Sequence, residues 1–259
     1  MNQIDMNHAA AVVVPIYKAE INADEEKALA SICDKLGGRD IFAVIPEGLD
    51  IGGILGKYPN LKVKEYDPQF FKGIKGYNRL MTSPDFYASF SDYEYMLVAQ
   101  LDAYIFRDDL DRWMEKGYDY VGAPWLKKKI NCFPPMSWIK KIEDLNRRRK
   151  GLYSKIGLYG KVGNGGLSLR KIESLRRVSE QKAEELSALN SIGPKGQPED
   201  VFWARQDSFK YPAAMEALDF AFDKYPALCY KLNGHRLPMG CHGWTSRKML
   251  PFWRKMLPA

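Results

Sequence analysis

Apolar runs and amphipathic stretches alternate along the first two-thirds of the sequence. Residues 9–17 form a continuous apolar run, which is typical of a strand buried on both faces. Residues 23–38 have apolar positions every three or four residues and end in a glycine pair, which predicts a helix. Residues 41–46 predict a second buried strand, and residues 61–67 predict a third, more amphipathic one. This alternation favours an α/β fold with a mostly parallel central sheet and helices on both faces.

The alternation continues beyond residue 70, and we expect a single domain over residues 1–259. The further predicted elements are one or two helices within residues 71–90, a strand over 93–104, a strand over 118–125, a short strand after a glycine loop at 163–166, a long amphipathic helix over 172–189 and a short helix starting near Pro198.

Positive charge is concentrated in two regions of the chain, whose formal net charge is +7. Residues 126–161 contain 11 Lys or Arg and 2 Asp or Glu, and we interpret them as an inserted loop and helix. The tail at 245–259 adds four basic residues and no acidic one, beside several apolar side chains. Such a tail is typical of a segment that lies on an anionic membrane surface, and a C-terminus docked on the protein is the alternative. No nucleic-acid-binding signature accompanies the charge, so nucleic acid is not an expected partner.

The composition, 46% hydrophobic and 13% aromatic, indicates a folded core. No apolar stretch is long enough to span a membrane, and the N-terminus does not resemble a secretion signal. The four cysteines are far apart, which argues against a zinc knuckle and favours reduced thiols. We therefore expect a cytoplasmic protein, with peripheral attachment to the inner face of the cytoplasmic membrane if the basic regions bind lipid.

A lone carboxylate, Asp102, ends the predicted fourth strand. An unpaired buried charge costs several kcal/mol, so it is expected to have a hydrogen-bond donor or a metal ion as its partner. Parallel sheets bind ligands at the carboxyl ends of their strands, and Tyr17 and Lys18 end the first strand. These positions predict a ligand cleft, with a local turn cap as the alternative role for Asp102.

Four further features are candidates for chemistry, and each has a structural alternative. The glycines at 163–166 can serve a tight turn, and Glu199 and Asp200 can stabilise a helix N-terminus. His242 can be a hydrogen-bonded structural histidine. Three polar residues share one face of a predicted helix and can be a solvated stripe or a nucleotide contact: Lys75, Asn78 and Arg79.

Taken in order, the motifs resemble those of the DUF5672 family, whose members are expected to be GT-A-like glycosyltransferases. The resemblance extends from about residue 12 to residue 244 and is carried by "VVVPIYK", "FFKGIKGYNRLMTSPDFY", "YEYMLVAQLDAYIFRDDLD", "GYDYVGAPW", "GNGGLSLRK", "PEDVFW" and "LPMGCHGW". It implies a GT-A-like domain that binds a nucleotide-sugar in a cleft at the strand ends.

The resemblance also implies a divalent cation, Mn²⁺ or Mg²⁺, on the donor diphosphate. GT-A enzymes usually hold it with Asp-x-Asp, and this chain has Gln100, Leu101 and Asp102 in that place. Asp102 is then the one strong ligand of the triplet, and His242, water and phosphate oxygens complete the shell. His242 is therefore expected near Asp102 across the cleft. The substitution of Gln100 for the first Asp leaves metal dependence open.

The resemblance further implies a role for the "PED" sequence. Its last residue, Asp200, corresponds to the catalytic base of inverting GT-A enzymes, and Glu199 beside it would contact the donor sugar or the acceptor. Gly165 and Gly166 would let the backbone approach the sugar. The remaining expected donor contacts are Pro15, Tyr17, Lys18, Lys75, Asn78 and Arg79, and the expected sugar or acceptor contacts are Trp125, Trp203 and Trp244.

The expected function is that of an inverting glycosyltransferase that moves a sugar from a nucleotide-sugar, a UDP-hexose, to a glycan or lipid-linked glycan in bacterial surface polysaccharide (O-antigen or capsule) synthesis. Two alternatives remain open. One is a non-catalytic nucleotide- or glycan-binding module on the same fold, which the loss of the first Asp favours. The other is a nucleotidyltransferase, which normally clusters several metal-binding carboxylates.

Overall fold

A six-stranded sheet forms the centre of the molecule, which is described by a computed structural model over residues 9–127, 133–154, 156–193 and 195–257. The strands are β1 (Ala10–Pro15), β2 (Asp40–Pro46), β3 (Lys62–Tyr66), β4 (Tyr95–Ala99), β5 (Ala103–Ile105), β6 (Tyr120–Pro124), β7 (Val162–Lys171), β8 (Ala221–Phe222) and β9 (Gly240–His242). In the central sheet their order is β3-β2-β1-β4-β7-β6, and β5, β9 and β8 form a smaller second sheet.

Helices connect most of these strands. Within the described residues they are α1 (Ala23–Leu36), α2 (Gly52–Lys57), α3 (Gly73–Leu80), α4 (Pro84–Ala88), α5 (Leu110–Glu115), α6 (Met136–Arg149), α7 (Ile172–Gln181), α8 (Ala183–Ser191), α9 (Glu199–Trp203), α10 (Pro226–Leu232) and α11 (Leu250–Met256), with 3-10 turns at Pro68–Phe71 and Ile156–Leu158.

The central sheet is mostly parallel, which confirms the predicted architecture. Strands β1 to β4 pair in parallel, and β7 alone runs against both of its neighbours, β4 and β6. Every residue of β1 is buried. Val12 and Val14 face a core that includes Leu29 of α1, whereas Val13 faces the core that includes Phe86 of α4 and Leu175 of α7. The apolar run at residues 9–17 therefore belongs to a strand covered by helices on both faces.

The predicted fourth strand, 93–104, is divided between the two sheets. The backbone N–H of Gln100 donates to Gly166 O at 2.8 Å, and the N–H of Ala103 donates to Gln100 O, also at 2.8 Å. The second bond closes a tight turn that leads the chain from β4 into β5. Asp102 therefore lies in the turn between the two sheets, at the carboxyl end of β4.

The glycines at 163–166 lie inside β7 and do not form a loop before it, contrary to the prediction. Ser168 pairs with Gly122, whereas Gly163 pairs with the next residue, Ala123, so the residues between them form a bulge. Asn164 in this bulge has a left-handed φ of 77°. A bulge of this kind bends a strand and redirects its side chains, and here it shapes the edge of the candidate site.

The predicted long helix over residues 172–189 is two helices, α7 and α8, joined at Lys182. Each buries its own apolar residues: Leu175 and Val178 in α7, and Leu186 and Leu189 in α8. The spacing identified the buried apolar residues correctly. It did not reveal the break at Lys182, because the apolar residues of both helices pack into the same core.

The C-terminal tail is docked on the protein, which is the alternative that the sequence left open to a segment lying on a membrane surface. The Trp253 side chain is fully buried and stacks on Phe106, with ring centroids 5.7 Å apart. Phe252 packs against Tyr230. The apolar side chains of the tail are thus used inside the molecule, and no described helix is long and apolar enough to cross a bilayer.

The thiols that the structure describes are free, as expected: Cys33, Cys229 and Cys241. Cys132 lies outside the described residues, as do Lys128, Lys129 and Lys155 of the basic insertion.

Candidate active site

A cleft of about 600 Å³ opens at the carboxyl ends of β1 and β4. Pro15 and Tyr17 line it from the end of β1, and Gln100, Leu101 and Asp102 line it from the end of β4. The Tyr17 ring is 61% exposed at its rim, and Lys18 outside the lining is paired with Glu25 at 2.6 Å. The rest of the lining comes from α1 and the segment around α3: Glu25, Phe70, Phe71, Gly73, Ile74 and Tyr77.

His242 lies against the Asp102 end of this cleft because β9 pairs with β5, placing His242 beside Ala103. Its Nε2 is 3.1 Å from Asp102 Oδ1 and 3.2 Å from Gln100 Oε1, and its Nδ1 is 3.4 Å from Asp223 Oδ1. Burial opposes a charge on the imidazole, but the two carboxylates outweigh it and raise the pKa of His242 to about 10. In the same way burial opposes the charge of Asp102, but His242 lowers the pKa of that carboxyl overall.

Three side-chain donor atoms of kinds that a divalent cation accepts meet at this point. Asp102 Oδ1, Gln100 Oε1 and His242 Nε2 lie close to one another and offer two oxygen donors and one nitrogen donor, a set that Mn²⁺ accepts. The imidazole must give up its Nε2 proton to bind a metal. Within the described residues, no group of three or more His, Cys, Asp or Glu side chains is arranged to hold a metal ion. Water and substrate oxygens are therefore needed to complete the shell.

The two glycines of the β7 bulge make room for the side chains of the site. A Cβ on Gly166 would lie 2.1 Å from His242 Nε2 and 2.8 Å from Gln100 Oε1. A Cβ on Gly165 would lie 1.8 Å from Glu199 Oε1. The space beside these glycines is thus filled by protein, which corrects the expectation that it admits the sugar.

Behind the bulge, Glu199 forms a buried ion pair with Arg170. Arg170 is fully buried, and its Nη2 donates to Glu199 Oε1 at 3.0 Å. Its other nitrogens donate to Tyr87 Oη at 3.0 Å and Ser168 Oγ at 2.9 Å. Burial raises the pKa of Glu199 to about 7 even though Arg170 acts in the opposite direction. The enclosed Glu199 carboxylate does not reach the cleft, which corrects its predicted contact with the donor sugar or the acceptor.

Asp200 is half-buried at the start of α9, beside Glu199. Its Oδ1 accepts a hydrogen bond from the backbone N–H of Val201 at 2.8 Å. Burial and the nearby charge of Asp223 raise the pKa of Asp200 above its ordinary value. A helix start favours the ionised form of a carboxyl group, but α9 has only five residues and burial has the larger effect on Asp200.

The three polar residues of α3 do not line the Asp102 cleft, so the structure does not support their predicted donor contacts. Asn78 is buried, and its Oδ1 accepts from the backbone N–H of Glu199 at 3.3 Å while its amide donates to Lys195 O at 3.1 Å. Lys75 and Arg79 line a separate cleft between α3 and α8. Asn78 is therefore a structural residue that holds the N-terminus of α9.

Two of the three tryptophans predicted to contact sugar belong to the core. Trp203 is fully buried and donates from Nε1 to Met81 O at 3.2 Å, and Trp244 is 4% exposed and packs against Tyr104. Both predictions are wrong because the apolar segments around these residues are buried. Trp125 is half-buried and covers Gly163, where a Cβ would lie 2.0 Å from its ring.

Sequence reasoning missed Asp223 and Arg170. Asp223 directly follows β8, just as Asp102 follows the apolar end of β4, so the same signal of a carboxylate after a strand was present. Arg170 lies in a strand covered on both sides, where a guanidinium needs a carboxylate partner. The partner, Glu199, is 29 residues away, and the sequence does not show that the two meet.

Comparisons with known proteins agree with this fold. The family model described as "Protein of unknown function (DUF5672)" matches residues 60–242. The structure of the galactosyltransferase LgtC in complex with donor and acceptor sugar analogues has a TM-score of 0.54 at 12% identity, over 95% of this chain and 100% of LgtC. The glycosyltransferase GlyE of Streptococcus pneumoniae TIGR4 has a TM-score of 0.54 at 15% identity, over 98% of this chain and 61% of GlyE.

A comparison with curated proteins finds no match to the sequence. The identities to LgtC and GlyE are low, so these similarities establish the fold alone. The family model covers more than two-thirds of the chain, including Asp102, the β7 glycines, Asp200 and His242. The chain therefore belongs to the DUF5672 family and has the fold of GT-A-like glycosyltransferases.

Proposed function

We propose that this protein is a glycosyltransferase that binds a nucleotide-sugar, a UDP-hexose, in the cleft at the ends of β1 and β4. The observation that carries the proposal is that His242 contacts Asp102 and Gln100, two residues that line that cleft. Ligands of open α/β sheets bind at this edge. Because the fold is that of glycosyltransferases, the diphosphate of a nucleotide-sugar, with its cation, is the ligand that best explains the grouping of Asp102, Gln100 and His242.

The two ends of the cleft are proposed to bind different parts of the nucleotide-sugar. Tyr17 and Ile74, which are 61% and 52% exposed, offer apolar faces to the nucleoside. Asp102 and His242 would hold Mn²⁺ or Mg²⁺ on the diphosphate oxygens. A bound cation offsets the charge that develops on the leaving diphosphate.

Asp200 is the proposed catalytic base. An acceptor hydroxyl is a poor nucleophile until its proton is removed, and a carboxylate with a raised pKa is a stronger base than an ordinary one. Glu199 is proposed to position Asp200, since its own carboxylate is held by Arg170. One base and direct displacement leave no covalent intermediate, so the product anomer is inverted relative to the donor.

The proposed acceptor is a glycan or lipid-linked glycan of a bacterial surface polysaccharide, O-antigen or capsule. Trp125 supports a sugar acceptor because it is half-buried at the end of β6 and can offer a ring face to a pyranose. A lipid-linked acceptor would place the enzyme in the cytoplasm, at the inner face of the cytoplasmic membrane.

A panel of nucleotide-sugars tests this function. We expect one UDP-hexose to raise the melting temperature in the presence of Mn²⁺ and to be hydrolysed slowly without acceptor. If none of the UDP-, GDP- or dTDP-sugars shifts the melting temperature, with or without Mn²⁺, the cleft does not bind a sugar donor.

A non-catalytic binding module on the same fold is the second candidate, because Gln100 stands where a metal-binding Asp is usual. A binding module predicts that a nucleotide-sugar raises the melting temperature without being hydrolysed or transferred. It also predicts that the Asp200→Asn variant gives the same result as the wild type. A nucleotidyltransferase is not favoured, since it normally clusters several metal-binding carboxylates and the described residues contain no group of three or more His, Cys, Asp or Glu side chains arranged to hold a metal ion.

A further inference from the structure

We propose that α6 docks the protein on an anionic lipid membrane through its exposed apolar face. The proposal deepens the proposed function. It rests on that function only where it concerns the lipid-linked acceptor. Membrane binding itself requires no donor, no cation and no turnover.

The outer face of α6 is apolar. Trp138, Ile139, Ile142 and Leu145 are 61%, 43%, 59% and 54% exposed. Their spacing places them on one side of the helix. Phe133, which precedes the helix, is 66% exposed as well. A water-facing helix normally presents polar residues on this side, so this face requires a partner.

The inner face of α6 is polar, the reverse of an ordinary amphipathic helix. Asp144 is its one buried residue within the described part of the chain. The Asp144 carboxylate accepts hydrogen bonds from Ser154 Oγ at 2.8 Å and from the backbone N–H of Ile156 at 3.3 Å. Polar contacts therefore hold α6 to the protein, and its apolar side chains remain free for a membrane.

The charge around this face selects an anionic surface. Residues 136–150 contain six basic and two acidic residues, and one of the two acids is the buried Asp144. Lys141 and Arg149 are exposed, with long side chains that can reach lipid headgroups while the apolar face inserts. A second copy of the chain is a poorer partner, because two such helices would bring like charges together.

The anchoring of α6 connects it to the candidate site. The segment after it ends in Leu158, which packs with Val201 of α9 and with Trp125. α9 begins with Glu199 and Asp200. α6 is thus linked through this segment to the helix that carries Asp200, the proposed base for a lipid-linked acceptor.

Vesicle flotation with the full chain tests the proposal. We expect the protein to bind vesicles of phosphatidylcholine with about one-third phosphatidylglycerol, and to bind phosphatidylcholine alone much more weakly. Trp138→Ser with Ile142→Ser should lower the affinity at least about tenfold, because it removes two inserting side chains. Lys141→Gln with Arg149→Gln should lower it about thirtyfold, since each base near an anionic surface contributes about 1 kcal/mol.

Matched variants separate this face from other surfaces. Met215→Ser removes an apolar side chain that is 55% exposed elsewhere, and Arg254→Gln with Lys255→Gln removes two exposed bases of α11. Both should leave vesicle binding unchanged, and all variants should keep the wild-type melting temperature because the altered side chains are exposed.

Three results would overturn the proposal: no binding to the anionic vesicles, binding that is lost with the α11 pair and kept with the α6 variants, or a dimer in sedimentation analysis that Trp138→Ser with Ile142→Ser dissociates without affecting lipid binding. If the protein were shown not to transfer sugars, the expected binding to anionic vesicles through α6 would be unchanged.

Discussion

The interior behind β7 and the outer face of α6 both reverse the usual distribution of side chains. Behind β7, Arg170 and Glu199 bury their charges. On α6, Trp138 and Ile142 expose large apolar surfaces. Arg170 has its partners within the chain, namely Glu199, Tyr87 and Ser168. The apolar face of α6 has no covering element within the described residues.

This difference separates a site that is complete in itself from a surface that requires another molecule. The buried charges hold Glu199 against the β7 bulge, next to Asp200, so their role can be tested by stability and turnover. The α6 face contributes little to the folded state, so its role becomes visible only with a partner. The predictions below test each half of this contrast, beginning with the largest expected effect.

Replacing Arg170 with Met should destabilise the protein most. At pH values above about 7, where Glu199 is ionised, it leaves the carboxylate buried without its cation, and breaking a buried pair typically costs about 3–5 kcal/mol. Urea unfolding measures the loss. Arg170→Met combined with Glu199→Leu should recover a large part of it, because no unpaired charge remains. Equal losses in the single and double variants would show that the pair itself is not responsible.

Asp200→Asn should lower glycosyl transfer at least about a hundredfold, because it preserves the shape of the side chain and removes its basicity. Donor affinity should remain nearly unchanged. Asp207→Asn, at an exposed position after α9, is the matched control and should retain activity. Near-normal turnover of Asp200→Asn, or a product that NMR shows to retain the donor configuration, would contradict both the base and the inverting mechanism.

The burial of Glu199 should appear in the pH dependence of stability. Its pKa is raised by burial from 4.5 to about 7, so between these values the unfolded chain ionises while the folded protein keeps the proton. The free energy of unfolding contributed by this group therefore falls as the pH rises from about 4.5 to 7, on the order of 1–3 kcal/mol. Urea titrations should show that Glu199→Gln lacks this fall. Parallel pH profiles of the two proteins would contradict the raised pKa.

Trp138→Ser should have the smallest effect on stability, within about 0.5 kcal/mol, because the ring is 61% exposed and surface substitutions seldom cost more. Urea unfolding in the absence of lipid is the measurement. A loss above about 2 kcal/mol would mean that the ring packs against the protein, and α6 would then not be an unpartnered face.

The sequence predicted the central sheet because doubly covered strands such as β1 appear as continuous apolar runs. It also located Asp102, since a carboxylate at the end of such a run is conspicuous. Helical spacing showed that Lys75, Asn78 and Arg79 are neighbours on α3, but spacing does not tell which residue of a helix faces the core, and Asn78 is buried.

Other features could not be predicted because they depend on contacts between distant parts of the chain. Arg170 meets Glu199 only through the fold. The β7 bulge arises where the pairing of β7 with β6 shifts in register. Its glycines are explained by the side chains of Glu199 and His242, which lie against Gly165 and Gly166 and leave no room for a Cβ atom. The basic composition of residues 126–161 was evident, but the outward orientation of the apolar face of α6 follows from the inward anchoring of Asp144.

The binding of UDP to an Asp102→Asn variant, measured by calorimetry in the presence of Mn²⁺, tests the central claim most directly. Asp92→Asn changes an exposed carboxylate just before the opposite end of β4 and is the matched control. We expect Asp102→Asn to lower the affinity at least about tenfold, the usual effect of losing one charged contact, in a protein that stays folded although His242 loses one of its two carboxylate partners, and Asp92→Asn to bind as the wild type does. Wild-type affinity in Asp102→Asn, or a variant that is merely unstable, would show that Asp102 is a structural residue and that the cleft does not hold the donor diphosphate in this way.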